Sequence, residues 1–186
     1  NEIHKKHNYS FQLKTVPPFY NHPAYINRLA ESMKPHLQDD YDQLLFSYHG
    51  IPERHVLKTD PTKQHCMQVD NCCYKASESH PTCYRHQVTM TSELVPKKLG
   101  LKKNQWAQSY QSRLGRDPWL LPSTQERLPN LPKEGVKKIK VVCPSFISDC
   151  LETLEEIEER GKEDFIANGG EKYEYIPCVN TSETWV

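Results

Sequence analysis

An excess of charge of either sign is missing from this chain. Lys and Arg number 24, and so do Asp and Glu, leaving a net charge of zero. Without a basic field there is no electrostatic footprint for nucleic acid, and without an acidic block there is no acidic tail. No apolar run is long enough to span a membrane, and no secretory-signal pattern is present. Histidine is missing from the second half: all nine lie between His4 and His86. No internal repeat or low-complexity tract occurs. Hydropathy is low, yet periodic apolar segments run throughout, which argues against disorder. The 186 residues suffice for one well-cored domain.

What is present is an alternation of strands and helices. Ser10 to Val16 is a weak strand candidate, stopped by Pro17-Pro18. A helix is expected from His22 to Leu37, with Pro23 at its start and Tyr25, Ile26, Leu29, Met33 and Leu37 on one side. Strands are expected at Gln43–Tyr48, Gln105–Gln111, Lys138–Val142 and Lys172–Ile176. Between them, 52–81 reads as irregular and Thr82–Leu99 as a helix ended by Gly100. Ser123–Glu134 is a poor helix broken by Pro129 and Pro132. Asp149–Asn168 is a long helix ended by Gly169-Gly170. The pattern predicts an α/β fold: one doubly wound lobe with a mainly parallel sheet of four or five strands.

Ligands bind such sheets at the carboxyl ends of the strands, near a switch in strand order. His49 falls there, in Ser47-Tyr48-His49-Gly50-Ile51-Pro52. An imidazole at that edge can accept a proton near neutral pH or offer a nitrogen to a metal. A second such edge is Cys143-Pro144-Ser145-Phe146-Ile147-Ser148-Asp149-Cys150-Leu151-Glu152-Thr153-Leu154-Glu155-Glu156-Ile157. Here Cys150, Leu154, Ile157, Gly161 and Phe165 make a buried stripe at helical spacing, while Glu152 and Glu156 stack four apart. Stacked carboxylates can hold a hard cation or relay protons. Asp149 with Glu152 also reads as a capping-box-like helix start. The loop Arg113-Leu114-Gly115-Arg116-Asp117-Pro118-Trp119-Leu120 carries two cations and an exposed-looking indole.

Cys66, Cys72, Cys73 and Cys83 form a C-x5-C-C-x9-C cluster, with His65, His80 and His86 among them. Reduced thiols so grouped suit metal better than disulfides. The residues alone leave zinc and an iron–sulfur cluster open. Cys143, Cys150 and Cys178 read as packing residues.

The three motifs around His49, around Gln111-Ser112-Arg113-Leu114-Gly115-Arg116-Asp117-Pro118-Trp119-Leu120, and from Cys143 onward resemble ferrochelatase in order and spacing. Gly169 to Asn180 continues the likeness, which covers the chain from about Pro17 apart from the Cys-rich stretch. The resemblance implies an enzyme, a lyase of haem biosynthesis that inserts ferrous iron into protoporphyrin IX, working in a bacterial cytoplasm. It implies catalytic roles for His49, Glu152 and Glu156, with His49 and Glu152 meeting the metal. It places Trp119 near the porphyrin and Arg113 on a propionate. It implies a 2Fe–2S cluster on Cys66, Cys72, Cys73 and Cys83 in an insertion at about 60–83, with zinc as the alternative. Some relatives have His where Cys150 stands. The chain begins at Asn1 rather than Met, so residues 1–186 are expected to be a single C-terminal chelatase lobe whose N-terminal lobe is absent. Rival readings are a cobalt or nickel chelatase of the same superfamily and a non-catalytic iron–sulfur or haem-binding fragment.

Overall fold

The computed structural model describes residues 2–183 and Trp185. Four strands form one all-parallel sheet in the order β2-β1-β3-β4: β1 (Gln43–His49), β2 (Trp106–Gln111), β3 (Lys138–Val142) and β4 (Lys172–Ile176). From β1 the chain winds outward to β2, then crosses back to β3 on the other side. The switch in winding therefore lies between β1 and β3, at whose carboxyl ends His49 and the 143–150 loop emerge.

Both faces of the sheet are covered. Leu44, Phe46 and Tyr48 of β1 face α2 (Pro23–Met33) and α4 (Tyr84–Leu99), meeting Leu29, Met33 and Val95. Leu45, Ile139 and Val141 face the other way, onto Leu128, Ile157 and Phe165. This period-two partition fixes the register, since a slip of one residue would exchange the faces. Lys140 lies on the α2 side of β3 at 1% exposure, where Asp39 at 2.6 Å and Glu174 both grip its ammonium. Burial would lower the pKa of that ammonium, and the two carboxylates raise it instead.

Several local expectations change. The 10–16 segment joins no ladder; it is exposed, and an extended chain without a partner strand is not a sheet strand. The first long helix stays α-helical only through Met33 and tightens to a 3-10 turn over Lys34–Leu37, where Pro35 lacks an N–H. A short helix, α3 (Glu53–Thr59), forms at the start of the stretch read as irregular. The proline-broken segment splits into α5 (Thr124–Arg127) and a 3-10 turn at Leu131–Glu134.

The long helix after β3 comes in three pieces: α6 (Leu151–Thr153), a π-helical stretch Leu154–Arg160, and α7 (Gly161–Ala167). The wider π turns change the stripe. Thr153, Ile157, Gly161 and Phe165, each four apart, are buried. Leu154 is 43% exposed and Cys150 is half-buried, so neither belongs to the core side as the simple periodicity had it. Gly161 is obligatory for close packing, because a Cβ there would stand 2.9 Å from the Tyr173 hydroxyl and 3.0 Å from Leu128. Among the described residues, no helix is long and apolar enough to cross a membrane.

Candidate active site

His49 ends β1 with its ring half-buried. Its Nδ1 lies 2.6 Å from the Gly50 carbonyl, which can only accept, so Nδ1 carries the proton. The tautomer leaves a lone pair on Nε2. The ring sits between Trp119 and Phe146, at centroid distances of 6.3 and 6.4 Å. Gly50 makes this crowding feasible: a Cβ would meet the Gln111 carbonyl at 2.9 Å and the Trp119 ring at 3.0 Å.

The Trp119 loop is clipped to this corner by its backbone. Glu53 N–H donates to the Pro118 carbonyl at 2.9 Å and Leu120 N–H to the Ile51 carbonyl at 3.1 Å. Trp119 is consequently half-buried against Gly50, not an exposed indole, and its Nε1 is buried with no partner among the described residues. Arg113 is exposed and makes no ion pair among the described residues. Asp117 pairs with Arg54 at 2.9 Å.

Glu152 lies in the first helical turn after β3. The Cys150 thiol, its own backbone N–H and the field of His49 hold its carboxyl below the ordinary value. The link to His49 is also structural. Gln111 is the register partner of His49. Its amide donates to the Glu152 carbonyl at 2.7 Å, while its oxygen accepts from Ser47 at 2.7 Å. One buried Gln thus ties the ends of β1 and β2 to the helix that carries Glu152.

Glu156 is engaged differently. Ser112 gives one carboxylate oxygen its backbone N–H at 2.7 Å and the other its hydroxyl at 2.6 Å, and Gln125 donates as well. Ser112 has φ of 64°, a strained conformation for a residue with a side chain, and Glu156 holds it there. Asp149 does not cap the helix with Glu152. Cys150 is the N-cap, its N–H bonded to the Thr153 hydroxyl at 3.0 Å. Asp149 instead accepts from Tyr175, Asn180 and the Cys178 N–H, pinning the chain after β4.

The Cys-rich segment stands apart from this edge. Its organiser is Asp60, which is fully buried and accepts from Thr62 N–H and Oγ1, His65 N–H, Cys66 N–H and Ser79 Oγ. Burial would raise its pKa, but those donors hold it far below the usual range. All four cysteines are buried. Cys72 Sγ accepts from Met67 N–H at 3.3 Å and from Arg85 at 3.7 Å, and Cys83 Sγ accepts from His86 N–H at 3.5 Å. Burial pushes the Cys66 and Cys73 thiols up to about 12, so a thiolate there needs a cation beside it. Cys66 and Cys83 are in contact. Among the described residues, no three His, Cys, Asp or Glu side chains converge as one metal ion requires. Four thiols are a donor set that either a two-iron cluster or a single zinc takes. The three histidines are spent on backbone: His65 and His80 bond the Cys72 carbonyl, and His86 the Cys73 carbonyl.

Asp60, Gln111 and Ser112 are the residues that sequence reasoning passed over as parts of these sites. Asp60-Pro61-Thr62 carried a turn signal. Gln111 closes a strand and Ser112 follows it, and neither carried a signal of its own beyond the motif containing them.

The four-stranded, all-parallel doubly wound lobe has the architecture of a chelatase-like lobe. The ferrochelatase family model matches residues 1–186. The ferrochelatase of Stutzerimonas stutzeri (strain A1501) is 48% identical over 183 residues, covering 98% of this chain and 54% of the relative. That of Pseudomonas fluorescens (strain Pf0-1) is 50% identical over 175 residues, covering 94% and 51%. The chain belongs to the ferrochelatase family. It spans about half the length of the curated relatives it matches.

Proposed function

We propose that this chain is the lobe of a ferrochelatase that carries the proton- and metal-handling groups. The reaction is the exchange of two pyrrole protons for one ferrous ion in protoporphyrin IX, without group transfer or change of oxidation state. The observation that carries this reading is the His49 ring, whose Nδ1 bond to Gly50 leaves Nε2 with its lone pair at the switch point, within the electrostatic reach of Glu152. His49 Nε2 accepts a pyrrole proton or ligates the incoming Fe2+, for which a neutral imidazole is a suitable donor. Glu152, an anion at neutral pH, takes the other proton or completes the metal's shell. Glu156 orders the Ser112 turn behind them. Trp119 forms an apolar wall for the macrocycle, and Arg113 meets a propionate at the rim. Protein outside these 186 residues supplies the other wall, and the enzyme works in the cytoplasm.

Cys66, Cys72, Cys73 and Cys83 would hold a 2Fe–2S cluster, which would supply structural cross-linking and a redox-sensitive centre. Arg85 and the N–H donors to sulfur balance the charge of the thiolates. Purified anaerobically, the chain should contain about two irons and two acid-labile sulfides. One zinc without sulfide rejects the assignment. Iron insertion by a chain extended to the full length of its relatives, assayed with His49→Ala and Glu152→Ala, tests the catalytic reading. Retention of most activity in His49→Ala would remove His49 from the mechanism.

A further inference from the structure

The first four residues around the start of α4 each grip a different part of the molecule. Cys83 is the N-cap, buried with the other three cysteines. Tyr84 reaches the strand end, where its hydroxyl donates to the His49 carbonyl at 2.7 Å. Arg85 reaches the Cys72 sulfur at 3.7 Å, and His86 Nδ1 bonds the Cys73 carbonyl at 2.8 Å. One helical turn therefore touches three of the four cysteines, directly or through backbone, and the candidate active site. The Tyr84 hydroxyl also meets Ser145, in the loop that follows β3. Burial holds this phenol protonated, with its pKa raised to about 12, so it remains a donor.

The other end of the Cys-rich segment is anchored in the same corner. Residues 50–52 run directly into α3, and one residue past α3 stands Asp60, the organiser of the segment. The segment is thus slung between two elements that both begin at the His49 corner. His49 is fixed at two atoms: its ring by Gly50 and its backbone carbonyl by Tyr84. A turn of helix is stiff, with about 1.5 Å of rise per residue, so Cys83 cannot shift without carrying Tyr84 along.

We propose that Tyr84 is a positioning residue for His49, and that through it the strand-end site responds to whether the Cys-rich segment is loaded with metal. The coupling half of this inference rests on the cluster assignment above. The positioning half does not. A loaded segment fixes Cys83 and holds Tyr84 on the His49 carbonyl. An empty one frees the turn, and the carbonyl loses its donor.

The test is the rate at which diethyl pyrocarbonate modifies His49, measured on its peptide by mass spectrometry in the 186-residue chain. Exposed His22 serves as the internal control. Tyr84→Phe removes one oxygen and keeps the ring. It should change the His49 rate by roughly threefold or more, the scale of one hydrogen bond, while the His22 rate, the iron content and the thermal midpoint stay as in the parent chain. Stripping iron from the parent should move His49 by a similar factor, and stripping it from Tyr84→Phe should add nothing. An unchanged His49 rate in Tyr84→Phe overturns the positioning role. A Tyr84→Phe chain that still responds to stripping as the parent does overturns the coupling. A parent chain without iron and labile sulfide refutes both the cluster and the coupling, and the Tyr84→Phe rate still decides the positioning role.

Discussion

The His49 corner and the Cys-rich segment hold their chemistry in place by opposite means. His49, Gln111 and Cys143 are delivered by three neighbouring parallel strands whose register is fixed by core packing. The 60–83 segment has no strand and, between α3 and α4, no helix. Its frame is one buried carboxylate, Asp60, with five hydrogen bonds. A site built on a sheet tolerates loss of its functional side chains, because those side chains do not hold the sheet together. A site built on one polar hub does not tolerate loss of the hub.

That contrast breaks first at the largest effect. In a full-length chain, His49→Ala should lower iron insertion by about 10³-fold, within the range of a lost acid–base group, with unchanged circular dichroism and iron content. Loss of the fold would mean that the corner is not an independent scaffold. Next, Asp60→Ala should empty the Cys-rich segment of iron while the sheet keeps its slow-exchanging amides, as should Cys66→Ser. Cys143→Ser should keep its iron. A segment that still binds iron without Asp60 would show that the cysteines organise themselves. Glu156→Gln, which leaves the acceptor oxygen but weakens the clasp on Ser112, should reduce activity by about tenfold, the cost of a charge-assisted bond. Gly161→Ala should cost about 1–3 kcal/mol in denaturant melts, through overpacking against Tyr173 and Leu128. Leu154→Ser, on an exposed position, should change stability by less than about 0.5 kcal/mol.

The parallel sheet was legible because β1, β3 and β4 are short apolar runs with helices between them, and all four strands stand within one or two residues of their expected places. His49 was legible as a strand-end residue for the same reason. The direction of its ring was not, since it depends on a carbonyl one residue later and on a Trp seventy positions away in the chain. The place of Leu154 was misread because periodicity assumes 3.6 residues per turn, and the π stretch breaks that count. Glu156 was placed on the helix, but its clasp on Ser112 required knowing that a loop after β2 passes there. Asp60 lay in an unpatterned segment where hydrogen bonds replace periodicity, and sequence reading has little hold on those.

The π stretch between Leu154 and Arg160 has a consequence for lineage as well as geometry. It behaves as one residue more than a regular helix would need, with its anchor points already fixed on both sides by Asp149 and by Phe165. Deleting a single residue there, such as Glu155, would give a more regular helix with better backbone bonds. With both anchors held, the same deletion would close the wide turn and leave Glu152 in place, whereas deletion from a regular α-helical stretch would turn everything before it by about 100° relative to the core. The wide turn is thus a segment where this helix can lose a residue and keep both ends in place, while a loss elsewhere along it would shift one half of the site against the other.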